Sequence, residues 1–463
     1  MKSLVPKLFG TNGIRGVVNK EFTPTFIAGI GSAIGTYFGG GRVLVARDGR
    51  VSGTIVKNAL LSGLLATGCN VVDLGMIPTP TAQYVTRFHE ARGCIVITAS
   101  HNPPEFNGIK VCGSDGVEIS REDEVVIEKN YFESRYTAAS WNALGHIVED
   151  YKALELYREA VKSHVNVNTV RKAGLKVVFD AGNGVGSLVT PQLLRELGCE
   201  ILTINGQVDG MFPGRLPEPR PEYLTALPQM VRALEADLGV AHDGDADRAI
   251  FVDEEGVIHP GDRSFALIEK AVLEAQLGET IVTSLSSSQA VKDIADKYGG
   301  KLVWTRVGSV VVARTMKSLN AILGGEENGG IFYGPHQSVR DAAMTTALIL
   351  KIMAEAEKPL SAMMSQLPHY ELRKERVSCP NELKDRVMKE LVGRAQGTKV
   401  ETLDGVKIWF PDDSWVLIRP SGTEPIYRVI AEARTVDKAA SLAEEHKSIV
   451  ERLVEELGKQ SPP

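Results

Sequence analysis

The chain has 463 residues, too many for one hydrophobic core, so we expect about three or four domains. Its 43% hydrophobic and 24% charged residues are typical of a globular protein. A net charge of −6 excludes a broad basic surface for nucleic acid or an anionic membrane, and no apolar run is long enough to span a bilayer. The five cysteines lack CxxC spacing and the N-terminus lacks an apolar signal segment, which together predict reduced thiols and a cytoplasmic location.

The first predicted elements alternate between helix and strand. Residues 24–37 are predicted to form a helix with Thr23 as its N-cap. A strand is predicted at 42–48, followed by a second helix that Ser52 caps and that runs to Thr67. This alternation is typical of α/β domains.

A loose internal repeat extends this pattern along the chain. Residues 60–75, 191–206 and 292–308 each combine a helix, a glycine turn and a short strand. Their spacing of roughly 100–130 residues predicts three related α/β domains. The C-terminal part differs, because three strand-like segments precede an amphipathic helix at about 437–457, and it is predicted to be α+β.

The first loop with polar, chemically capable residues is "TASHNP", directly after the apolar run 94–97. Ser100 is a poor nucleophile unless it is activated or already carries a phosphate. His101 and Asn102 can orient it, and Lys110 can neutralise a phosphoryl group. The alternative is an ordinary turn whose polar groups satisfy one another.

The second loop is "DGDADR", where Asp243, Asp245 and Asp247 alternate. Three carboxylates this close repel one another unless a cation lies among them, and oxygen ligands suit Mg²⁺. An EF-hand loop is one alternative, since Glu254 falls at its position 12. Arg248 replaces the glycine that an EF-hand needs, however, and the flanks are strand-like. A solvated acidic turn is the other alternative.

The third loop is "GGEENGG", which presents Glu326, Glu327 and Asn328 between glycines. A carboxylate and an amide can accept and donate hydrogen bonds with sugar hydroxyls. An exposed acidic turn is the competing interpretation.

The fourth loop, "RPSGTEP", lies at a strand end. Arg419, Ser421, Thr423 and the amides around Gly422 form a candidate anion cradle, to which Arg428 adds charge. The alternative is a surface turn with an unrelated arginine. Together with the other loops, a separate cradle indicates phosphoryl transfer to a polyol that carries a second phosphate.

In this order and combination the four motifs resemble the α-D-phosphohexomutase superfamily, which contains phosphoglucomutases, phosphomannomutases and phosphoglucosamine mutases. The resemblance covers essentially the whole chain. It implies three related α/β domains with mixed sheets and a smaller C-terminal α+β domain around a central cleft. The expected domains are 1–150 with the phosphoserine loop, 151–252 with the metal loop, 253–368 with the sugar-specificity loop and 369–463 with the phosphate-binding loop.

The resemblance also implies a role for each motif residue. Ser100 would be the phosphoserine, and Asp243, Asp245 and Asp247 would hold one Mg²⁺ per chain together with a Ser100 phosphate oxygen. The residues expected around the reacting phosphoryl group are Arg15 (in "GTNGIRG", otherwise a flexible turn), His101, Lys110 and Arg248. The residues expected at the substrate are Gly308, Glu326, Asn328, Arg419, Ser421, Gly422, Thr423 and Arg428. Either Lys110 or His101 is expected to handle the proton, and the choice between them is open.

The implied reaction interconverts hexose 1-phosphate and hexose 6-phosphate through phosphorylated Ser100 and a hexose 1,6-bisphosphate, which also serves as activator. Sugar phosphates are the expected partners, without nucleic acid or membrane; the oligomeric state is open, with a homodimer as one candidate. Many relatives carry "GEMSGH" or "GEQSGH" in the sugar loop, whereas this chain has Asn328 for the serine and Gly330 for the histidine. The sugar is therefore undecided among glucose, mannose and glucosamine, and His336 is a candidate for the missing contact.

Three other interpretations compete. A phosphoserine-type sugar phosphatase would need the serine and the metal but no grip on a second phosphate. An aspartyl-phosphate enzyme would use "DGDAD" but needs Thr or Val where Asp247 stands. A non-catalytic sugar-phosphate sensor has no need for Ser100 and all three aspartates.

Overall fold

The computed structural model describes residues 8–10, 12–422 and 424–459. Four separate β-sheets divide this part of the chain into units that we call domains I to IV. Three contain parallel and antiparallel strands, as the predicted α/β class requires, and the fourth is antiparallel. Among the described residues, every helix is too short or too polar to cross a lipid bilayer.

Domain I has a six-stranded sheet of order β1-β5-β4-β2-β3-β6. Its elements are β1 (Ile14–Val17), α1 (Pro24–Phe38), β2 (Gly41–Arg47), α2 (Gly53–Ala66), β3 (Cys69–Met76), α3 (Thr79–Thr86), β4 (Gly93–Ile97), β5 (Phe106–Gly113), α4 (Arg121–Phe132) and β6 (Ile147–Glu149). The N-cap at Thr23 is confirmed, since its side chain accepts from Phe26 N. The cap at Ser52 is wrong: its side chain makes no cap hydrogen bond and its Oγ instead accepts from Asn107 Nδ2 at 2.9 Å.

Domain II has a five-stranded sheet of order β11-β10-β9-β7-β8. Its elements are α5 (Ala153–Lys162), α6 (Val167–Ala173), β7 (Lys176–Asp180), α7 (Thr190–Leu197), β8 (Glu200–Ile204), α8 (Ala226–Ala233), β9 (Leu238–His242), β10 (Ala249–Asp253) and β11 (Ile258–His259). A boundary at residue 252 would cut β10 and separate it from β11, its antiparallel partner. We therefore propose a boundary after His259; the boundaries at 150 and 368 stay predictions.

Domain III repeats the design with a sheet of order β13-β12-β14-β15-β16. Its elements are α9 (Gly261–Ala275), β12 (Thr280–Ser284), α10 (Gln289–Lys297), β13 (Lys301–Thr305), α11 (Ser309–Leu319), β14 (Leu323–Gly325), β15 (Ile331–Tyr333), β16 (Gln337–Arg340), α12 (Ala342–Ala356) and α13 (Leu360–Met364). Buried side chains of domains II and III form one continuous apolar core, so these two domains are packed firmly together.

Domain IV is smaller and has the sheet order β17-β21-β20-β19-β18. Its elements are β17 (Glu371–Ser378), α14 (Lys384–Arg394), β18 (Lys399–Glu401), β19 (Val406–Trp409), β20 (Trp415–Pro420), β21 (Ile426–Ala433) and α15 (Val436–Lys459). The three predicted strands and the final helix are confirmed. Three further elements, β17, β18 and α14, were not predicted. Strand β17 is rich in charged residues and β18 is only three residues long, so neither shows a clear apolar pattern.

A buried joint fixes domain IV against domain III. Lys407 of β19 is fully buried, and its Nζ donates to the carbonyl of Leu285 at 2.8 Å. The same Nζ lies 4.7, 4.4 and 3.8 Å from the ring centroids of Trp304, Trp409 and Trp415. Burial lowers the pKa of Lys407 to about 7, and its hydrogen bond to Leu285, together with the packing against three rings, joins the two domains.

Candidate active site

The serine loop connects β4 to β5, two antiparallel strands of domain I. Ser100 is completely buried and has a φ of 51°, a left-handed conformation that costs energy for a residue with a side chain. Its N–H donates to Thr98 Oγ1 at 2.8 Å, and Thr98 donates in turn to Asp48 Oδ2 at 2.7 Å. The loop therefore holds the serine in a fixed, strained position.

Arg50 supports the same loop through hydrogen bonds to its backbone, and the sequence analysis did not identify it. Its guanidinium pairs with Asp48 at 3.1 Å and is fully buried. It donates hydrogen bonds to the carbonyl oxygens of Ser100, Asn102, Pro103 and Phe106. The sequence feature that could have revealed this pair is "RDGR" at the end of β2, where an aspartate and an arginine follow a buried strand.

The aspartate loop is the turn between β9 and β10, and it is braced in the same way. Arg215 pairs with Asp180 at 2.8 Å and donates to the carbonyl of His242 at 2.6 Å. Both domains thus contain a buried Asp–Arg pair at a strand end. In domain I the arginine donates to carbonyls of the functional loop itself, and in domain II it donates to the carbonyl of the residue that precedes the loop.

The two loops meet at Ser100, whose Oγ donates to Asp243 Oδ2 at 2.9 Å. Carboxylate oxygens of Asp243, Asp245 and Asp247 lie within 4.8 Å of one another, and all three residues are buried. Among the described residues, Asp245 Oδ1 and Asp247 Oδ1 have no hydrogen-bond partner. Buried, unpartnered carboxylate oxygens beside a serine hydroxyl fit a hard cation such as Mg²⁺, which takes oxygen ligands.

The three carboxylates differ in their affinity for protons. Burial and repulsion from the other two aspartates raise the pKa of Asp243 well above its ordinary value. Burial acts on Asp245 and Asp247 as well, but Lys110 lowers the pKa of Asp245 and the Arg340 guanidinium lowers that of Asp247. A cation at this cluster would offset the repulsion among the three carboxylates.

Two cations hold the ionised aspartates. Lys110 Nζ donates to Asp245 Oδ2 at 2.7 Å and to Asp247 Oδ2 at 3.1 Å. Burial would lower the pKa of Lys110, but these aspartates raise it, so the side chain is an ammonium ion at neutral pH. Arg340 Nη2 donates to Asp247 Oδ2 at 2.6 Å. Lys110 was predicted from the sequence, whereas Arg340 was missed.

The remaining predicted residues of the reacting centre surround the serine. His101 Nδ1 lies 3.4 Å from Ser100 Oγ, and Arg15 Nη1 donates to Asn102 Oδ1 at 2.6 Å. Burial, together with Arg248 and Arg15, lowers the pKa of His101 well below 6.5, so its imidazole is neutral. Arg248 Nε lies 3.8 Å from Asp247 Oδ1, and Thr79, which the sequence did not reveal, donates to Asp245 Oδ2 at 2.7 Å.

The sugar loop joins β14 to β15 and reaches the same centre through Arg340. Glu326 Oε2 lies 3.4 Å from Arg340 Nη1, so one guanidinium contacts both the sugar loop and the aspartate loop. A Cβ at Gly330 would lie 2.3 Å from Arg340 Cδ. A side chain at position 330 would therefore require Arg340 to move from its place between Glu326 and Asp247. Asn328 Oδ1 accepts from Gly330 N at 3.1 Å and shapes the turn.

His336 does not provide the missing contact. It is buried, stacks on Tyr84 with a centroid separation of 4.5 Å, and packs edge-on against Tyr157 and His164. Its Nε2 lies 3.4 Å from Asp341. The histidine thus belongs to an aromatic cluster between domains, and the suggestion made from the sequence is wrong.

Gly308 and the phosphate loop lie at the boundary between domains III and IV. Gly308 precedes α11 with a φ of 143°, which favours glycine. The phosphate loop joins β20 to β21, where Arg419 Nε donates to Asp404 Oδ2 at 3.0 Å. Arg428 forms an ion pair with Glu424 at 2.7 Å, with both side chains more than a third exposed.

Lys384 supports the phosphate loop by donating to the carbonyls of Ser421 and Glu424 at 2.7 and 2.6 Å. Ser421 Oγ accepts from Glu424 N at 3.2 Å, and a Cβ added at Gly422 would meet no described atom within 4 Å. Thr423, also predicted to bind phosphate, lies outside the described residues.

A buried serine beside a carboxylate cluster, ringed by cations from three domains, defines a phosphoryl-transfer enzyme. Four family models match the chain in succession. They describe phosphoglucomutase/phosphomannomutase α/β/α domains I (residues 6–138), II (155–256) and III (260–370) and the C-terminal domain (376–448). The chain belongs to the phosphoglucomutase/phosphomannomutase family and is a phosphohexomutase, an intramolecular phosphotransferase of the isomerase class.

Individual relatives agree with this assignment. A phosphoglucomutase/phosphomannomutase of Thermococcus kodakarensis is 45% identical over 444 residues, which cover 95% of this chain and 97% of that protein. A phosphoglucosamine/phosphogalactosamine mutase of Sulfurisphaera tokodaii is 43% identical, covering 96% and 99%. The crystal structure of a family protein from Burkholderia thailandensis superposes with a TM-score of 0.86 at 28% identity and covers 96% of this chain and 97% of that one.

Proposed function

We propose that this enzyme interconverts hexose 1-phosphates and hexose 6-phosphates through a phosphorylated Ser100 and a hexose 1,6-bisphosphate. The observation that carries the proposal is the contact of Ser100 Oγ with Asp243, inside a buried cluster of three carboxylates. Asp243, Asp245 and Asp247 would hold one Mg²⁺ per chain, which would neutralise charge on the transferring phosphoryl group. A hexose 1,6-bisphosphate would phosphorylate an enzyme that has lost its phosphate.

The side chains around Ser100 have different proposed roles in proton transfer and charge stabilisation. Lys110, held as an ammonium ion by Asp245 and Asp247, stabilises negative charge and has no proton-accepting lone pair. His101 Nδ1 lies 3.4 Å from Ser100 Oγ, so this imidazole is placed to take the proton of the attacking sugar hydroxyl. Arg15 and Arg248 add positive charge where the phosphoryl oxygens move. We therefore assign the proton to His101 and the charge stabilisation to Lys110.

The substrate would be held by groups on domains III and IV. Glu326 and Asn328 would hydrogen-bond the sugar hydroxyls, with Gly308 close by. Arg419, Ser421, Gly422, Thr423 and Arg428 would bind the phosphate that is not reacting. A grip on this second phosphate lets the sugar bind in both orientations, which a phosphatase would not need. The relatives' names include glucose, mannose and amino-sugar phosphates, so all three classes are candidate substrates.

Phosphorus NMR tests the function directly. The enzyme, with Mg²⁺ and a trace of glucose 1,6-bisphosphate, is given glucose, mannose or glucosamine 1-phosphate in separate samples. We expect conversion to the 6-phosphate, and the relative rates identify the preferred sugar. Release of inorganic phosphate without a 6-phosphate would show that water is the acceptor and would replace the mutase by a sugar phosphatase.

Arg419→Ala is expected to raise the KM for the sugar 1-phosphate with a smaller effect on kcat. It removes a charge-assisted contact worth roughly 1.5–3 kcal/mol, or about 10- to 150-fold in KM. The effect falls on KM because the distant phosphate is bound in the ground state and the transition state alike. Arg452→Ala, which removes an exposed arginine of α15, is the matched control. Equal KM values for the two variants would place the phosphate elsewhere.

Two further properties remain proposals. All five cysteines are free thiols, which supports a cytoplasmic location. The oligomeric state is open, with a homodimer as one candidate, and size-exclusion chromatography with light scattering would determine it.

A further inference from the structure

Asp404 stands at the boundary between domains III and IV and contacts both. Its Oδ2 accepts from Arg419 Nε at 3.0 Å within domain IV. The same oxygen accepts from the backbone N–H of Val307 in domain III, also at 3.0 Å. One carboxylate oxygen therefore joins the phosphate-loop arginine to the segment that leads to Gly308.

A tight turn at Gly405 places Asp404 next to Arg419. Asp404 and Gly405 form the turn before β19, and Gly405 has a φ of 84°. A Cβ at Gly405 would lie 2.2 Å from Ile418 O and 2.8 Å from Arg419 Cβ. Only glycine combines this conformation with so close an approach, and the approach brings the turn directly against β20 at Arg419.

The contact orients Arg419 and leaves its phosphate-binding end available. Asp404 takes the Nε hydrogen of the guanidinium. Within residues 8–10, 12–422 and 424–459, neither terminal nitrogen of Arg419 has a hydrogen-bond partner. A guanidinium held at Nε can still bind phosphate through its two terminal nitrogens, and less side-chain entropy is lost on binding because its orientation is already set.

The Val307 side of the Asp404 contact is also held in place by neighbouring residues. Lys407, three residues after Asp404, anchors β19 to domain III through the tryptophan joint. Val307 precedes Gly308 and α11, whose first residue, Ser309, accepts from Asn12 Nδ2 of domain I at 3.0 Å. The position of Asp404 relative to Val307 thus depends on how the domains are docked.

We propose that Asp404 is a positioning residue that presents Arg419 to the non-reacting phosphate and links this arginine to domain III through Val307. The proposal rests on the phosphate-binding role of Arg419 in the proposed function. Asp404 has no role in the phosphoryl transfer itself. Its loss should weaken substrate binding through Arg419 and leave the chemistry at Ser100 unchanged.

A double-mutant cycle tests this. Asp404→Ala should raise the KM for the sugar 1-phosphate about tenfold and change kcat by less than about twofold. This pattern is expected when a variant weakens binding of the substrate and of the transition state equally. Asp404→Asn keeps an oxygen acceptor without the charge and should recover part of the loss. In an Arg419→Ala background, Asp404→Ala should add less than about twofold, because residues that act through one another are not additive.

Controls separate positioning from folding. Asp437→Ala removes an exposed aspartate of domain IV and should leave KM unchanged. Three of the four tryptophans line the joint, so an unchanged emission spectrum of Asp404→Ala would show that domain IV remains docked. If Asp404→Ala fails to fold, the comparison is made with Asp404→Asn.

The outcomes are distinct. An unchanged KM in Asp404→Ala, with a raised KM in Arg419→Ala, would overturn the role of Asp404 and leave the cradle intact. Multiplicative effects in the double variant would mean that Asp404 acts independently of Arg419, which also overturns the proposal. An unchanged KM in Arg419→Ala would instead reject the phosphate cradle of the proposed function, and the role of Asp404 with it.

Discussion

Ser100→Ala is expected to lower mutase turnover by at least about 10⁴-fold, because the phosphoryl group would have no side chain to carry it between the two sugar positions. The fold should persist, since the substitution removes a single buried oxygen whose partner, Asp243, also accepts from two backbone N–H groups. Steady-state kinetics and phosphorus NMR measure the loss, and intact-mass spectrometry shows whether phosphate from glucose 1,6-bisphosphate remains on the protein.

Ser163→Ala is the matched control, because this serine is exposed at the end of α5, far along the chain from the serine loop. It should keep wild-type turnover and accept phosphate normally. Wild-type turnover in Ser100→Ala would reject the serine as the phosphate carrier, and a phosphoserine found at another position would identify its replacement.

Asp245→Asn is expected to raise the Mg²⁺ concentration for half-maximal activity by about tenfold or more, since each tenfold change corresponds to only about 1.4 kcal/mol of metal binding. The residue contributes the unpartnered Oδ1 to the carboxylate cluster, and its Oδ2 is held by Thr79 and Lys110. An amide removes one negative charge from the site and keeps its size. Mg²⁺ titration of activity and calorimetric Mg²⁺ binding measure the effect.

Asp296→Asn supplies the comparison, since it removes the same charge from an exposed position on α10, where Asp296 pairs with Lys292. Its Mg²⁺ titration should overlay that of the wild type. Thermal unfolding of both variants checks that neither is destabilised. An Asp245→Asn enzyme with an unchanged titration would mean that the metal, if the reaction uses one, is held elsewhere.

The sequence was informative wherever structure and chemistry are local. The helix cap at Thr23, the three central strands of domain IV and its final helix depend on neighbouring residues and were predicted correctly. The loops that carry Ser100 and Asp243 follow short buried strands, which a period of apolar residues reveals. The resemblance of these loops to a known family, together with their order, was enough to predict the reaction class.

Weakly patterned elements were missed for a different reason. Strand β17 is stabilised by eight consecutive pairings with β21, a partner about fifty residues away, rather than by its own composition. Ser52 satisfies the usual cap preference, yet its hydroxyl is taken by Asn107 from another strand of domain I. In both cases a tertiary contact overrides the local preference.

The tertiary structure alone revealed the residues that connect the loops. Arg340 reaches Asp247 across 93 residues of sequence, and Thr79 reaches Asp245 across 166. Asp404 meets Val307 across 97. Their identities carry no local signal, because an arginine, a threonine or an aspartate at these positions would be ordinary on any surface. Sequence therefore predicted which groups would perform the chemistry. The packing of four domains decided which groups hold them in place, since that depends on distances between segments that the linear order does not contain.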